Sequence, residues 1–543
     1  MMRKIAFFLI FLLTACSRQS PSQPLSTPTE YPTINGPTST VVLNPTATPN
    51  QPLTTATPQP QSLSSPVTYG PDEFPAGYNP LTGQPVSDPA RLEYPALLLS
   101  VSHFPPEARP QAGLSFMPFV YEYYITEGST RHVGVVYGEF PEPEIPLYGD
   151  CDVRVEPLTQ TEMILGNLVW HDKNGNGRQD PREGGIGGIC VNLLDENGRL
   201  LQQTTTDSNG YYGFNVEGGR YILEVEKPEW LEFTEENGAD DRIDSDIDPA
   251  ASRTDMIAIS DSSLVVADAG LVPSTHITPS PNPEATLPPA EVGPIRSGRI
   301  FYRFMGAMYQ ESCLIYAGAD PAVQLHIPRC ATVAHTDVGG GAMLALERMA
   351  RISEQIKRDN TNFNYTGHLF SEEAPPGGEP VRELREYWAL LNQSKWTYDA
   401  ASESWWRYVD ESDRGAPGVL HANTDRLTGR QLQFENVILM FAEHTVITPT
   451  IIDINLALGN QGGAYLFRDG NMYKIKWSTI ATEYQRETGR GQPMRFLNPD
   501  GSAAALKPGK TWVIIYTLES YLEDIESGIF RARFVPPVGA KVE

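Results

Sequence analysis

Apolar positions follow several different periods along this chain. The first stretch is continuous: Ile5 to Leu13 is an apolar run of nine residues behind Met1, Arg3 and Lys4. That length suits an export signal and is too short to span a bilayer. From Ser17 to Gly70 no period is visible. Between Val120 and Tyr137 apolar and polar residues alternate, which sets two strand faces. Leu165 to Trp170 and Ile189 to Leu194 read as short strands, and Asn197-Gly198, Asn209-Gly210 and Gly218-Gly219 then punctuate apolar runs about every ten residues, the rhythm of a β-sandwich of about seven strands. A helical period enters at Ala342 to Arg358, with Met343, Leu346, Met349 (or Ala350), Ile352 (or Ser353) and Ile356, and repeats at Val381, Leu384, Trp388 and Leu391. Phe434 to Phe441, Ala464 to Trp477 turning at Asp469-Gly470, and Thr511 to Thr517 are strands again, the middle pair a hairpin. The pattern predicts a multidomain protein, an α+β host interrupted by an all-β sandwich.

Composition draws the boundaries. Of the 54 residues from 17 to 70, 11 are Pro, 11 Thr and 8 Ser, with only Arg18 and Glu30 charged, so the segment cannot bury a core and reads as an extended stalk. Residues 273–292 hold 6 Pro in 20 and form a second linker. The expected organisation is a signal at 1–15, a stalk at 16–70, the first part of the host at 71–163, the insert at 164–272, the linker, and host segments at 293–400 and 401–543. The apolar run ends in Leu13-Thr14-Ala15-Cys16, which resembles the lipobox of bacterial lipoproteins. The resemblance implies a lipidated Cys16, a membrane anchor and a place on the outer face of the cell membrane.

Charge changes the picture at the insert. The whole chain carries 41 Lys and Arg against 67 Asp and Glu, a formal net charge of -26, which repels nucleic acid. Residues 164–272 alone hold 21 acids against 8 bases, and such concentration calls for a cation. Asp172, Asn174, Asn176, Asp180 and Glu183 occupy positions 1, 3, 5, 9 and 12 of a calcium loop, with Gly177 at position 6 and the Arg178 carbonyl at position 7. Oxygen donors at this spacing suit a hard divalent ion, so Ca2+ is the expected cofactor. The flanks are strands, so this is a calcium loop in a β domain. Asp244, Asp246 and Asp248 are either a second cation site or a solvated acidic loop.

Gly166-Asn167-Leu168-Val169-Trp170, the Asp172 loop, Thr206-Asp207-Ser208-Asn209-Gly210-Tyr211-Tyr212, Asp244 to Pro249 and Asp268-Ala269-Gly270-Leu271 together resemble the B-type domains of SD-repeat surface adhesins. The resemblance implies a rigid, calcium-stabilised spacer. In the host, Asn79-Pro80-Leu81-Thr82-Gly83, Ala108 to Leu114, Val120-Tyr121-Glu122-Tyr123, Glu127 to Arg131, Val292 to Arg299, Glu435 to Met440, Gly463 to Gly470 and Leu506 to Val513 resemble the YerB family of bacterial lipoproteins. That resemblance implies location and fold, and little chemistry.

No GxSxG, HExxH, phosphate loop, GxGxxG or zinc-type Cys/His spacing is present. Cys151, Cys190, Cys313 and Cys330 allow three disulfide pairings, of which Cys313 with Cys330 closes the shortest loop. What remains is a polar constellation of Arg109, Gln111, Glu122, Glu127, Thr130, Arg131 and His132, joined by Arg296, Ser297 and Arg299. Either the guanidinium forks capture an anionic ligand, with Glu122 or His132 as acid or base, or Glu122 and Glu127 neutralise these arginines in buried structural pairs. His103, His335 and Asp337 are less informative. The expected function is binding or scaffolding at the cell surface, with cell-wall polymer or another surface protein as partner. The alternative is an envelope hydrolase or transferase acting on anionic wall polymer.

Overall fold

The computed structural model describes residues 68–542 except 154, 160–162, 237–241, 261–263, 275–285, 329, 333–340, 360–361 and 412–415. Cys16, the signal, nearly all of the stalk, the middle of the linker, His335 and Asp337 therefore lie outside the described residues. The described residues are mostly β, with 45% strand against 9% helix, so the host carries less helix than the α+β reading expects. Among the described residues no helix is long and apolar enough to cross a membrane.

The host centres on one large sheet that both host segments share. Its strands run in the order Ala331–Thr332, Cys313–Tyr316, Leu97–Ser102, Ser129–Val136, Phe119–Thr126, Thr511–Tyr516, Asn436–Phe441, Gln461–Arg468, Asn471–Ser478 and Glu379–Pro380. The carboxyl-terminal Thr511–Tyr516 strand lies parallel to Phe119–Thr126, with Val513 opposite Tyr121 and Ile514 opposite Glu122. Period-two alternation gives each strand two apolar faces, as expected of a sheet covered on both sides. Val120, Tyr124, Trp512 and Ile514 enter one core, and Phe119, Tyr121, Tyr123 and Val513 the other.

The first core is closed by a second sheet of seven strands. Ala416–Ala422, Ser404–Glu411, Asn392–Asp399, Glu383–Ala389, Ile529–Arg533 and Tyr521–Glu526 follow one another, and Gln433–Phe434 pairs beside Ser404–Glu411. Leu384, Trp388, Trp396, Trp405 and Phe530 face the large sheet. The helical repeat read at Val381, Leu384, Trp388 and Leu391 is thus a strand. Leu384 and Trp388 satisfy both a period near four and a period of two, and the buried residue between them is Glu386, a charge that hides the alternation. The Ala342 to Arg358 helix forms as Leu346–Asp359, burying Met349 and Ile356, while Ala342–Ala345 is drawn into a strand against Glu291–Ile295.

The insert is a β-sandwich. One sheet orders Tyr211–Val216, Met163–His171, Ala269–Pro273 and Leu231–Phe233, with Leu264–Val266 beside Met163–His171; the other is built on Cys190–Asp195 and Gly219–Glu226. Val169, Val191, Phe214, Leu223 and Leu271 fill its core. It packs against the host. Gln433 Nε2 donates to Asp207 Oδ2 at 2.7 Å, Asn209 Nδ2 to the Gln431 carbonyl at 3.1 Å, and Arg430 Nη2 to the Gly185 carbonyl at 3.0 Å. Gly185 permits this corner, since a Cβ there would lie 1.8 Å from the Asn209 carbonyl oxygen. Disulfides join Cys151 to Cys190 and Cys313 to Cys330.

Candidate functional site

The register of two strands separates the constellation. Ser129–Val136 runs antiparallel to Phe119–Thr126 with Glu122 opposite His132 and Tyr123 opposite Arg131. Successive side chains point to opposite faces. Glu122, Thr130 and His132 therefore enter the core between the two host sheets, and Arg131 emerges on the far side among Tyr123 and Tyr302.

On the first face Glu122 is fully buried. Its Oε2 accepts from Arg407 Nη2 at 2.9 Å and Trp512 Nε1 at 3.1 Å, and its Oε1 accepts from Thr130 Oγ1 at 3.0 Å. Arg407 also donates through Nη1 to Glu386 Oε1 at 3.2 Å, and Trp396 and Trp388 each donate an indole N–H to Glu386. Burial alone would raise both carboxyls. At Glu122 the Arg407 guanidinium and His132 outweigh burial and hold the carboxyl well below its usual range. At Glu386 burial wins, reinforced by repulsion from Glu122, and the carboxyl is pushed up to about 7. Beside them Arg109 Nη1 pairs with Asp410 Oδ1 at 3.0 Å, and Gln111 Nε2 donates to the Ser102 carbonyl at 3.0 Å.

Of the arginines read from the sequence Arg109 has a carboxylate partner on this face, and the two predicted glutamates are paired with other cations. Glu122 neutralises Arg407, Arg109 pairs with Asp410, and Glu127, in a turn at φ 48°, pairs with Lys541. Sequence reasoning missed Arg407, Asp410, Glu386 and Lys541 because each lies hundreds of positions away and in no motif. The one available signal was the lone arginine within Trp405-Trp406-Arg407-Tyr408, where a strand facing an aromatic core carries a charge that must find a partner.

His103, Glu122 and His132 bring three ligand atoms within 4.8 Å of one another. Burial holds both imidazoles below their ordinary range, His103 further so. A divalent cation is opposed there, because the Glu122 oxygens already accept three hydrogen bonds and Arg407 adjoins the group. With Glu122 and His132 fully buried, neither is placed to act as acid or base on an outside substrate.

On the second face Arg131 Nη1 donates to the Ser297 carbonyl at 2.8 Å and to Ser297 Oγ at 3.0 Å. Tyr302 lies beside it, bonded to Tyr123 and, at 2.7 Å, to Ser100. Arg299 is brought down to about 10 by burial and by Arg131, with Arg296 adding a smaller push. Among the described residues no carboxylate pairs with Arg131 or Arg299. Arg131, Ser297 and Arg299 thus lie together on this face, whereas Arg109, Gln111 and Glu127 are used elsewhere.

In the insert loop Asp172 is buried. Its Oδ1 accepts from the Gly175 and Asn176 amides and its Oδ2 from the Gly177 amide and Thr234 Oγ1. Gly177 has φ +73°, which lets the chain fold back around that carboxylate. Asn174 and Asn176 both donate to Asp180 Oδ2, and Glu183 accepts from the Lys173 and Asp180 amides, its carboxyl raised by burial. Asp172 is thus tied to the loop's own amides and to Thr234, while Asn174 and Asn176 close on Asp180. The backbones of Arg178 and Asp244 form an isolated antiparallel β-bridge. Asp246 Oδ2 accepts from the Asp268 amide, and Asp248 Oδ1 from the Ala250 amide within its own turn.

Comparison with known proteins fits this division. Residues 163–271 match the SdrD B-like domain, and residues 385–513 match the C-terminal domain of DUF3048, a protein family of unknown function. The chain carries both domains. The SdrD B-like domain is 46% identical over 106 residues to the fibrinogen-binding protein of Staphylococcus epidermidis, covering 19% of this chain and 10% of that one. It is 40% identical over 114 residues to serine-aspartate repeat-containing protein D of Staphylococcus aureus, covering 21% and 8%. The chain therefore spans a tenth or less of the length of these curated relatives. Among solved structures, the YerB protein of Bacillus subtilis is similar over 81% of this chain and 96% of its own, at 15% identity and TM-score 0.42.

Proposed function

We propose that this is a surface-associated binding protein, held at the membrane by lipid on Cys16, whose host domain captures an anionic group at Arg131 and Arg299. The supporting observation is the pair of guanidinium groups drawn together beside Tyr123 and Tyr302 with no carboxylate of the described residues between them. Like charges held together in a partly buried place are costly unless an anion completes them, and Arg forks suit carboxylate and phosphate. Relatives of the SdrD B-like domain with adhesin-type names support the surface location. The fibrinogen named in one of them is left with that protein, because the similarity covers only 19% of this chain and 10% of that one. The test is a thermal-shift titration of the full chain with muropeptides and polyphosphate. Arg131→Ala is expected to abolish a shift that the unaltered chain displays; an unchanged shift would refute the assignment.

Calcium is the second part of the reading. The Asp172, Asn174, Asn176, Asp180 and Glu183 side chains, with the Arg178 carbonyl, would hold Ca2+ and fix the loop against Thr234. Ligand that binds only the folded state at a hundred times its Kd stabilises by about 2.7 kcal/mol. The insert's melting temperature is expected to rise in millimolar calcium and to stop responding in Asp172→Ala and Glu183→Ala. An equal response in both variants would remove the site.

A further inference from the structure

The seven-stranded sheet turns one face to the core and the other to a groove of about 1110 Å³, walled on one side by Asp207 and Ser208 of the insert. Its floor has an unusual register. Arg385 stands opposite Lys395 on one neighbouring strand and opposite Arg531 on the other, so three cations line up across three adjacent strands. At the usual strand spacing the row is about 10 Å long. Arg533 lies two residues further along, opposite Tyr387. Like charges directly opposite one another weaken a sheet.

Only partial compensation is present. Glu383 serves both Arg385 and Lys395, and Glu523 serves both Arg533, at 3.1 Å, and Arg531, at 3.8 Å. Four cations share these two carboxylates directly, and Glu156 and Asp207 also line the groove, in a chain whose net charge is -26. Aromatic rings accompany the row: Lys395 Nζ sits 4.8 Å from the Tyr408 ring centre and the Arg533 guanidinium 5.0 Å from that of Tyr387. Trp406, opposite Thr397 on the same face, adds a third ring.

We infer that this groove binds an anionic polysaccharide, its carboxylates or phosphates on the Lys395, Arg385 and Arg531 row and its sugar rings on the Tyr387 and Tyr408 side chains. A row of cations selects a ligand with repeated negative charge, while the flanking rings offer apolar faces to the C–H side of a sugar. Nucleic acid shares the charge and stacks on rings, but the field of a strongly acidic protein opposes a long polyanion of that density. The groove deepens the surface-binding reading. It uses none of the residues of the Arg131 cluster, so either assignment can fail alone.

The experiment is calorimetric titration of the full chain with polygalacturonate, which carries carboxylates, with phosphorylated dextran, with neutral dextran and with poly(dT). One of the first two is expected to bind, more weakly as salt rises, and which one does distinguishes carboxylate from phosphate recognition. Arg385→Gln with Arg531→Gln is expected to weaken binding about tenfold or more, since each charge-assisted hydrogen bond is worth about 1.5–3 kcal/mol. Tyr387→Ala, which leaves every charge in place, is expected to weaken it as well, and unchanged melting temperatures show that both variants fold. Equal affinity in both variants would overturn the proposal. So would dextran binding as tightly as the charged polymers, tightest binding by poly(dT), or a loss seen only in Arg131→Ala.

Discussion

Replacing Arg407 by leucine is expected to destabilise the host by about 3–5 kcal/mol near pH 8, the usual consequence of leaving a buried charge without its partner. Arg407 is fully buried and is the shared cation of Glu122 and Glu386. It also lies 4.4 Å from the Trp512 ring centre and 5.2 Å from that of Trp396. Its removal strands two carboxyls in an aromatic core. The pH dependence separates the electrostatic loss from the packing loss. In the unaltered protein Glu122 is held low, so its contribution is present above its unfolded value and lost as pH falls through the folded one. Glu386 is raised to about 7, so its contribution is complete below its unfolded value near 4.5 and lost as pH rises through about 7. Without Arg407 burial raises both carboxyls, and both then favour folding when protonated. The melting-temperature gap between the unaltered protein and Arg407→Leu should therefore narrow from pH 8 to pH 5. A gap that stays constant would assign the effect to the lost contacts with the two tryptophans.

The second large effect is expected at Cys151–Cys190, which ties the segment leading out of the host to the Cys190–Asp195 strand of the insert across 39 residues. Loop-closure entropy for that span corresponds to about 4 kcal/mol. Replacing both cysteines by serine should lower the unfolding temperature of the insert accordingly. The Cys313–Cys330 loop, of 17 residues, should cost about 3 kcal/mol on the same argument. A change under about 1 kcal/mol at Cys151–Cys190 would mean that the docking contacts of Asp207, Asn209 and Arg430 already restrain that end of the insert, because the crosslink then removes little freedom.

The docking itself bears on function. The resemblance to adhesin B-type domains implies a spacer, yet the Asp207 to Gly210 turn is bonded to Gln431 and Gln433 and forms part of the groove wall. Asp207 is buried there, and burial together with Asp399 pushes its carboxyl up to about 7. The insert thus shapes a host surface as well as adding length to the chain.

Local pattern was sufficient for some of this architecture. Turn residues at regular spacing delimit the sandwich, and Gly177 lets the Asp172 to Glu183 segment fold back into a loop closed by its own hydrogen bonds. The hairpin follows from the Asp469-Gly470 turn between two strand-forming runs, and the Thr511 strand from a short continuous run of β-branched and aromatic residues. Where a segment satisfies two periods, as at Leu384 and Trp388, pattern misleads, and the buried Glu386 makes sense only once Arg407 and two indoles surround it. The candidate site was legible as a set of residue types but not as a geometry.

Residue order thus determined which side of a strand each group takes: Arg131 and His132 are adjacent, so they had to part to opposite faces of the sheet. Only the tertiary structure decided who their partners are. The pairing of Thr511–Tyr516 with Phe119–Thr126 and the closure of the seven-stranded sheet bring Arg407 to Glu122 across 285 positions and Asp410 to Arg109 across 301. Contacts at that separation are fixed by the burial of two whole sheet faces, a property of the assembled core that no local stretch of sequence contains.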